Sequence, residues 1–151
     1  MTANVETLAK LYLENAPAEL SAETMAEFCE FIMDEFRQLP LAIQASTSMR
    51  YEQADEMFAD IEQQHLWVST EAYGADYPNP FYGFALLAVH DYDHYQTQSD
   101  FSLEGEIRAY RATASRAPSL AIQKILYSEI VLKSAAHLVL GRAPEPKLVF
   151  A

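Results

Sequence analysis

NPFYGFALLAVHDYDHYQTQ, residues 79–98, carries no proline after its second position and only one glycine. Asn79 suits a helix cap. Pro80 suits the first helical position, where its missing N–H would have no partner in any case. Gly83, Leu86, Leu87, His90, His94 and Thr97 recur at three- and four-residue spacings, so they share one side of a helix. The spacing therefore predicts a helix over 80–98 with its histidines on the side that faces the interior.

Working outward, a break at Ser99–Asp100–Phe101 leads to a second predicted helix over 102–115. Pro118 marks the next junction. A strongly apolar helix over 119–140 stops at Gly141, a natural C-terminal glycine. The tail from Ala143, with Pro144 and Pro146, reads as extended. Upstream, residues 65–79 read as an irregular loop around Gly74 and Pro78. Helices are predicted over 3–14, with Val5, Leu8, Leu11 and Leu13 as its stripe, and over 22–38, capped by Ser21 and ended by Pro40. In the latter, Met25, Phe28, Cys29, Ile32 and Phe36 face inward and Glu27, Glu30, Asp34 and Glu35 face water. A shorter helix covers 51–64, with Met57, Phe58 and Ile61 inward. The expected fold is all-α: one helical, metal-binding domain over 1–151, a bundle of five to six helices. Acidic helices fill 1–64 and site-bearing helices fill 80–140.

Composition agrees with that class. The chain has 151 residues, half of them hydrophobic, and four glycines, too few for a turn-rich β fold. Its net charge of −12 argues against nucleic-acid phosphates as a partner. Thirteen acidic and three basic residues lie in 1–62, against nine and seven in 63–151. The amino-terminal helices thus offer an anionic face to a basic protein partner. Cys29 is the single cysteine, so no intrachain disulfide forms. The opening MTANVETLAK lacks the basic and apolar regions of a signal peptide. The longest apolar run, Phe81–Val89, is too short for a bilayer span. The expected compartment is the cytoplasm, with peripheral membrane contact left open. The apolar last helix can bury itself within one chain or against a second copy.

The chemistry concentrates in His90-Asp91-Tyr92-Asp93-His94 and in Glu104-Gly105-Glu106. At about 100° per residue, His94 lies about 40° around from His90 and one turn along, so both imidazoles reach one point. That spacing lets one helix give two nitrogens to a metal. Asp91, about 100° from His90, can complete the fan; Asp93 falls on the far side of His94. Glu104 and Glu106 point about 200° apart, so only one faces the site. The competing reading is a pair of satisfied core histidines with acidic salt-bridge partners. Burial of the pair, the adjoining aspartate and the following glutamate favour a metal.

HDYDH, eleven residues, then Glu106 resembles the HDxxH–x11–E pattern of the Coq4 family of ubiquinone-biosynthesis proteins. Thr97 and Gly105-Glu106-Ile107 also match that family, over roughly residues 81–115. Gln98 stands where the family has glycine, and Asp93 where it often has an aromatic residue. The resemblance implies that His90, Asp91, His94 and Glu106 hold a divalent ion, and it selects Glu106 over Glu104. It further implies a mainly helical fold, zinc as the ion, an apolar pocket for a prenyl-lipid or quinone-like ligand, and oxidative decarboxylation of a quinone precursor.

Two imidazoles and two carboxylates suit zinc and equally iron(II) or manganese, and the lack of a cysteine ligand rules out a thiolate site. As a Lewis acid the ion would act on a phenolate or carboxylate oxygen, with Asp91 as ligand or base. Phe81, Phe84, Leu86 and Leu87 are candidate pocket residues, each more readily explained as core packing. Glu129 and His137, about 80° apart on the last helix, are candidates to orient a ligand histidine, or else form an ion pair or sit exposed. His65 reads as a loop residue, and Tyr92, Tyr95 and Tyr110 as packing residues with wet hydroxyls. Two rivals remain: a metal-dependent hydrolase, with Asp91 in the place of the HExxH glutamate, and a non-enzymatic acidic interaction module with a structural metal or none.

Overall fold

Five of the predicted helices begin at a side chain suited to cap them, and those caps are in place. Asn4 accepts from Glu6 N–H at 2.9 Å, Ser21 from Thr24 N–H at 3.1 Å and Asn79 from Phe81 N–H at 2.8 Å. Ser102 accepts from Gly105 N–H at 3.1 Å and Ser119 from Ile122 N–H at 3.3 Å. The computed structural model describes residues 4–70 and 77–150. Its elements are α1 (Val5–Glu14), α2 (Ala22–Arg37), β1 (Ala42–Ser46), α3 (Ala54–Glu62), β2 (His65–Ser69), α4 (Pro80–Thr97) and α5 (Leu103–Ala114). The last helix begins as α6 (Leu120–Leu126), widens into a π segment (Tyr127–Leu132) and returns as α7 (Lys133–Leu140). The protein is a predominantly helical single domain, as its periodicity predicts. No described helix is long and apolar enough to cross a membrane.

The last helix is the axis of the core. Ile122, Ile125, Leu126, Ile130, Val131, Leu132, Ala135 and Ala136 are all buried, so its middle is surrounded, while Leu120 and the last turn, Leu138 to Leu140, are exposed. α1 packs on α7, α2 on α4, and α4 on α5. The tail after Gly141 returns to the core. Leu148 and Val149 are buried, Val149 N–H donates to Ser128 Oγ at 2.8 Å, and Ala18 N–H donates to the Leu148 carbonyl at 2.7 Å. The π segment replaces part of the uninterrupted α-helix expected over 119–140. It carries two buried polar residues, Ser128 and Glu129, and the wider turn brings Ser128 under the tail.

Three expectations are corrected. First, residues 65–69 are a strand, not loop: Leu66 and Val68 are buried, and His65, Trp67 and Ser69 alternate with them. β2 pairs in parallel with β1, Ala42 opposite His65 through Ser46 opposite Ser69, with α3 as the crossover. Of the expected loop, residues 71–76 with Gly74 lie outside the described residues. Second, the helix read over 51–64 is confined to Ala54–Glu62, because the Gln53 and Glu56 capping box starts it late. Met57 and Ile61 are buried, as expected. Third, Ala9 and Tyr12 are the buried side of α1, and Leu13 points outward at 39% exposure. The Tyr12 hydroxyl reaches the tail, donating to the Glu145 carbonyl at 2.9 Å and accepting from Lys147 N–H at 3.0 Å.

Candidate metal centre

α4 delivers two imidazoles to one point because it is long enough to put a full turn between them on its buried side. His90 and His94 are 8% and 0% exposed, with ring centroids 4.5 Å apart. The chain must then turn back within a few residues. Gln98 does this in the left-handed region, at φ 50° and ψ 45°, a conformation glycine adopts with less strain. The Ser99 N–H donates to the His94 carbonyl at 3.0 Å, and the Ser102 cap starts α5.

Glu106 therefore enters from the first turns of α5. Gly105 is what lets α5 sit so close: a Cβ there would lie 2.0 Å from the Asp100 carbonyl oxygen. Glu106 is 9% exposed, whereas Glu104 is exposed. The choice of Glu106 over Glu104 is thus the one the fold makes.

The three donors converge. His90 Nε2 is 3.1 Å from His94 Nε2. Glu106 Oε2 lies 2.8 Å from His94 Nε2 and 3.2 Å from His90 Nε2. Among the described residues, His90, His94 and Glu106 are the group whose ligand atoms gather as a metal site requires. Atoms bound at about 2.1 Å to one ion stand about 3.0 Å apart at right angles and about 3.4 Å apart in a tetrahedron. The observed separations of 2.8 to 3.2 Å lie around the right-angled value and short of the tetrahedral one, so an octahedral ion fits the donors as they stand and a tetrahedral zinc needs them to open by a few tenths of an ångström.

His94 is also oriented for that task. Its Nδ1 lies 3.0 Å from the Ser99 carbonyl, an acceptor only, so Nδ1 donates there and Nε2 is the nitrogen turned toward Glu106 and left for a metal. Phe101 packs edge-on against the ring at 5.3 Å. His90 lacks such a tether: its Nδ1 is buried with no hydrogen-bond partner among the described residues.

Electrostatics hold Glu106 ionised. Burial alone would raise its pKa, but His90 and His94 outweigh it and bring the carboxyl down to about 2. Burial lowers the His90 pKa in turn, and the Glu106 charge more than reverses this, leaving it raised. Asp91 is different. Its carboxylate does not join the three clustered donors. Burial pushes it up to about 6, against the pull of His90 and His94.

Asp93, the weaker acidic candidate, is buried and fully employed elsewhere. It accepts from Thr113 Oγ1 and forms a two-point pair with Arg116, at 3.1 and 2.8 Å. Arg116 also pairs with Glu35 of α2, so one guanidinium ties α2, α4 and the end of α5 together. Sequence reasoning missed this knot and the role of Ser99, since both join residues far from any motif spacing. Phe81, Phe84, Leu86 and Leu87 take the packing role: Phe36, Phe81 and Phe84 form an aromatic cluster with centroids 5.2 to 6.4 Å apart, and Leu86 lies in the main core. His137 is exposed. Glu129 is buried and accepts from the Tyr77 hydroxyl at 2.8 Å, away from the donor cluster. His65 lies in β2 between Asp60 and Gln44, and it too stays outside the cluster.

In comparisons with protein-family models, with characterised proteins and with solved structures, the chain finds no significant match.

Proposed function

We propose that this chain is a divalent-metal protein of the Coq4 type, with His90, His94 and Glu106 as ligands, working on an aromatic or quinone-like substrate. The observation that carries the reading is the convergence of two imidazole nitrogens and one carboxylate at ligand-to-ligand separations, on buried side chains, with one histidine held by its Nδ1 so that its Nε2 faces the site. Three protein ligands of this kind accompany open coordination positions in catalytic sites. The ion, zinc by resemblance, would supply Lewis-acid polarisation of a substrate oxygen. Glu106 balances the charge, Ser99 holds His94, and Asp91, whose carboxyl interacts electrostatically with both histidines, would take or give a proton. Oxidative decarboxylation of a quinone precursor, with a prenyl tail held on apolar surface, is the reaction the resemblance favours: the ring carboxyl leaves as carbon dioxide, a hydroxyl takes its place, and a co-substrate oxidant such as dioxygen accepts the two electrons that zinc cannot take. The single unpaired cysteine is compatible with the reducing cytoplasm.

The burial of His94 and Glu106 supports a second reading, in which the ion only staples α4 to α5. Metal content and turnover of a quinone-precursor carboxylate distinguish them, measured for the parent protein and for a His90→Ala, His94→Ala variant. Loss of metal and turnover with folding retained supports the enzyme. Loss of folding with metal, and no turnover by the parent, supports the staple. A parent that takes up no divalent ion sinks both.

A further inference from the structure

β1 is paired on one side only. Two bonds fix the phase of its ladder with β2: Ala42 N–H donates to the Gln64 carbonyl at 2.9 Å, and Thr70 N–H to the Ser46 carbonyl at 2.8 Å. Bonding residues alternate along a parallel strand, so Ala42, Gln44 and Ser46 turn their main-chain groups toward β2. Ile43 and Ala45 turn theirs the other way, and among the described residues those groups have no hydrogen-bond partner. The outer edge of β2 is treated differently. There Trp67 N–H donates to the Tyr51 hydroxyl at 2.9 Å, so a side chain from the segment before α3 covers that edge.

The open edge is short and preceded by Pro40, but it lacks the commonest guard, charge. Residues 38–49, QLPLAIQASTSM, contain no charged side chain in a chain of net charge −12. Natural edge strands ordinarily carry charge or a bulge that discourages pairing. Here Ala45 is exposed, and Met49, just beyond the strand, is 71% exposed.

We propose that β1 is a self-association edge, on which a second copy of this chain adds its own β1 antiparallel across a two-fold axis. The result is one four-stranded sheet, β2–β1–β1–β2. The register follows from the outward phase. Ile43 exchanges both hydrogen bonds with Ala45 of the second copy, and Ala45 with Ile43, so Gln44 faces Gln44 at the axis as a non-hydrogen-bonded pair. The strand is self-complementary in this register, because its two outward residues flank one centre. Its neutrality suits a second copy as the occupant: two strongly acidic molecules can meet here without opposing charges of like sign, which an edge lined by carboxylates would forbid.

Sedimentation or light scattering tests this together with two variants. The parent protein is expected at twice the 17.0 kDa chain mass. Ala45→Pro removes an outward N–H and leaves the β2 ladder donors untouched, so it is expected at 17.0 kDa with helical circular dichroism retained. Facing Cα atoms in a non-hydrogen-bonded pair stand about 4.5 Å apart, within disulfide reach. Gln44→Cys in a Cys29→Ala background is therefore expected to form a covalent dimer on mild oxidation, and Thr47→Cys, which faces Leu41, is not. A parent that stays monomeric at every concentration overturns the proposal, including one that binds extended peptides of other chemistry at this edge. So does an Ala45→Pro dimer, or equal crosslinking by both cysteine variants.

Discussion

Glu106 illustrates how one carboxylate can be both buried and ionised. Its pKa near 2 exists only because two imidazoles face it, so it and they form one unit. Glu106→Gln keeps the shape and removes the charge. It is expected to weaken zinc binding by at least the ~10–100-fold typical of losing even an outer partner of a metal site. Glu104→Gln, at an exposed position, is expected to leave the affinity unchanged; competition with a chromogenic chelator reads both. Asp91 presents the opposite balance. Its folded pKa is raised from 3.8 to about 6, so burying its anion costs stability above about pH 6, and that cost disappears as pH falls toward 3.8. Asp91→Asn is therefore expected to stabilise the metal-free protein at pH 7 by about 1–2 kcal/mol, allowing for its partial contact with water. The gain should shrink through pH 6 and vanish below pH 4. If Asp91 serves the site as ligand or base, the same variant loses metal affinity or turnover while it gains stability. Urea melts across pH, paired with zinc titration, separate the two effects.

At the level of elements, the site is a joint between α4 and α5, and its precision depends on the five-residue connection between them. Gly105, in the first turn of α5, is where that connection packs too closely for anything larger than hydrogen, since a Cβ would meet the Asp100 carbonyl oxygen and carbon as well as its side chain. Gly105→Ala is expected to cost about 1–3 kcal/mol and to lower zinc affinity, because relief of the clash moves Glu106 off its two histidines. A stability loss without any change in affinity would show that α5 adjusts elsewhere. Gln98 shows that the turn geometry survives without glycine: the backbone still enters the left-handed region, held by bonds to the last turn of α4. The second joint is the Arg116 knot. Arg116→Ala leaves the buried Asp93 carboxylate, 4% exposed, with Thr113 as its remaining side-chain partner; because the guanidinium is itself 39% exposed, the expected loss is about 1–3 kcal/mol in chemical denaturation.

For the molecule as a whole, a preorganised three-donor site makes folding and metal binding one equilibrium. Free zinc at a hundred times its dissociation constant adds about 2.7 kcal/mol to the stability of the folded state. For a domain of this length that is a rise of roughly 5–10 °C in melting temperature. A chelator should reverse it, and the His90→Ala, His94→Ala variant should show none. No such shift with zinc, iron(II) or manganese would mean that the convergence of His90, His94 and Glu106 is an ordinary buried ion pair.

The sequence by itself determined which segments are helical and that the two histidines of α4 face inward, because caps, prolines and the 3.6-residue period act within one turn of the chain; burial of Phe84, Ala88, Val89 and Asp93 on its other sides came from the elements packed around it. It also determined that His90 and His94 share a point, since a single helix fixes their spacing. Tertiary structure alone decided the rest. The β1–β2 pair joins residues 23 positions apart through an exposed strand whose alternation, AIQAS, carries almost no hydrophobic signal. The π segment, the Ser99 contact that orients His94 and the Arg116 tie to Asp93 and Glu35 are bonds between elements, and no local period encodes them. The acidic residue that closes the site belongs to both accounts: its candidates were legible as Glu104 and Glu106, and the packing of α5 on α4 buried only one.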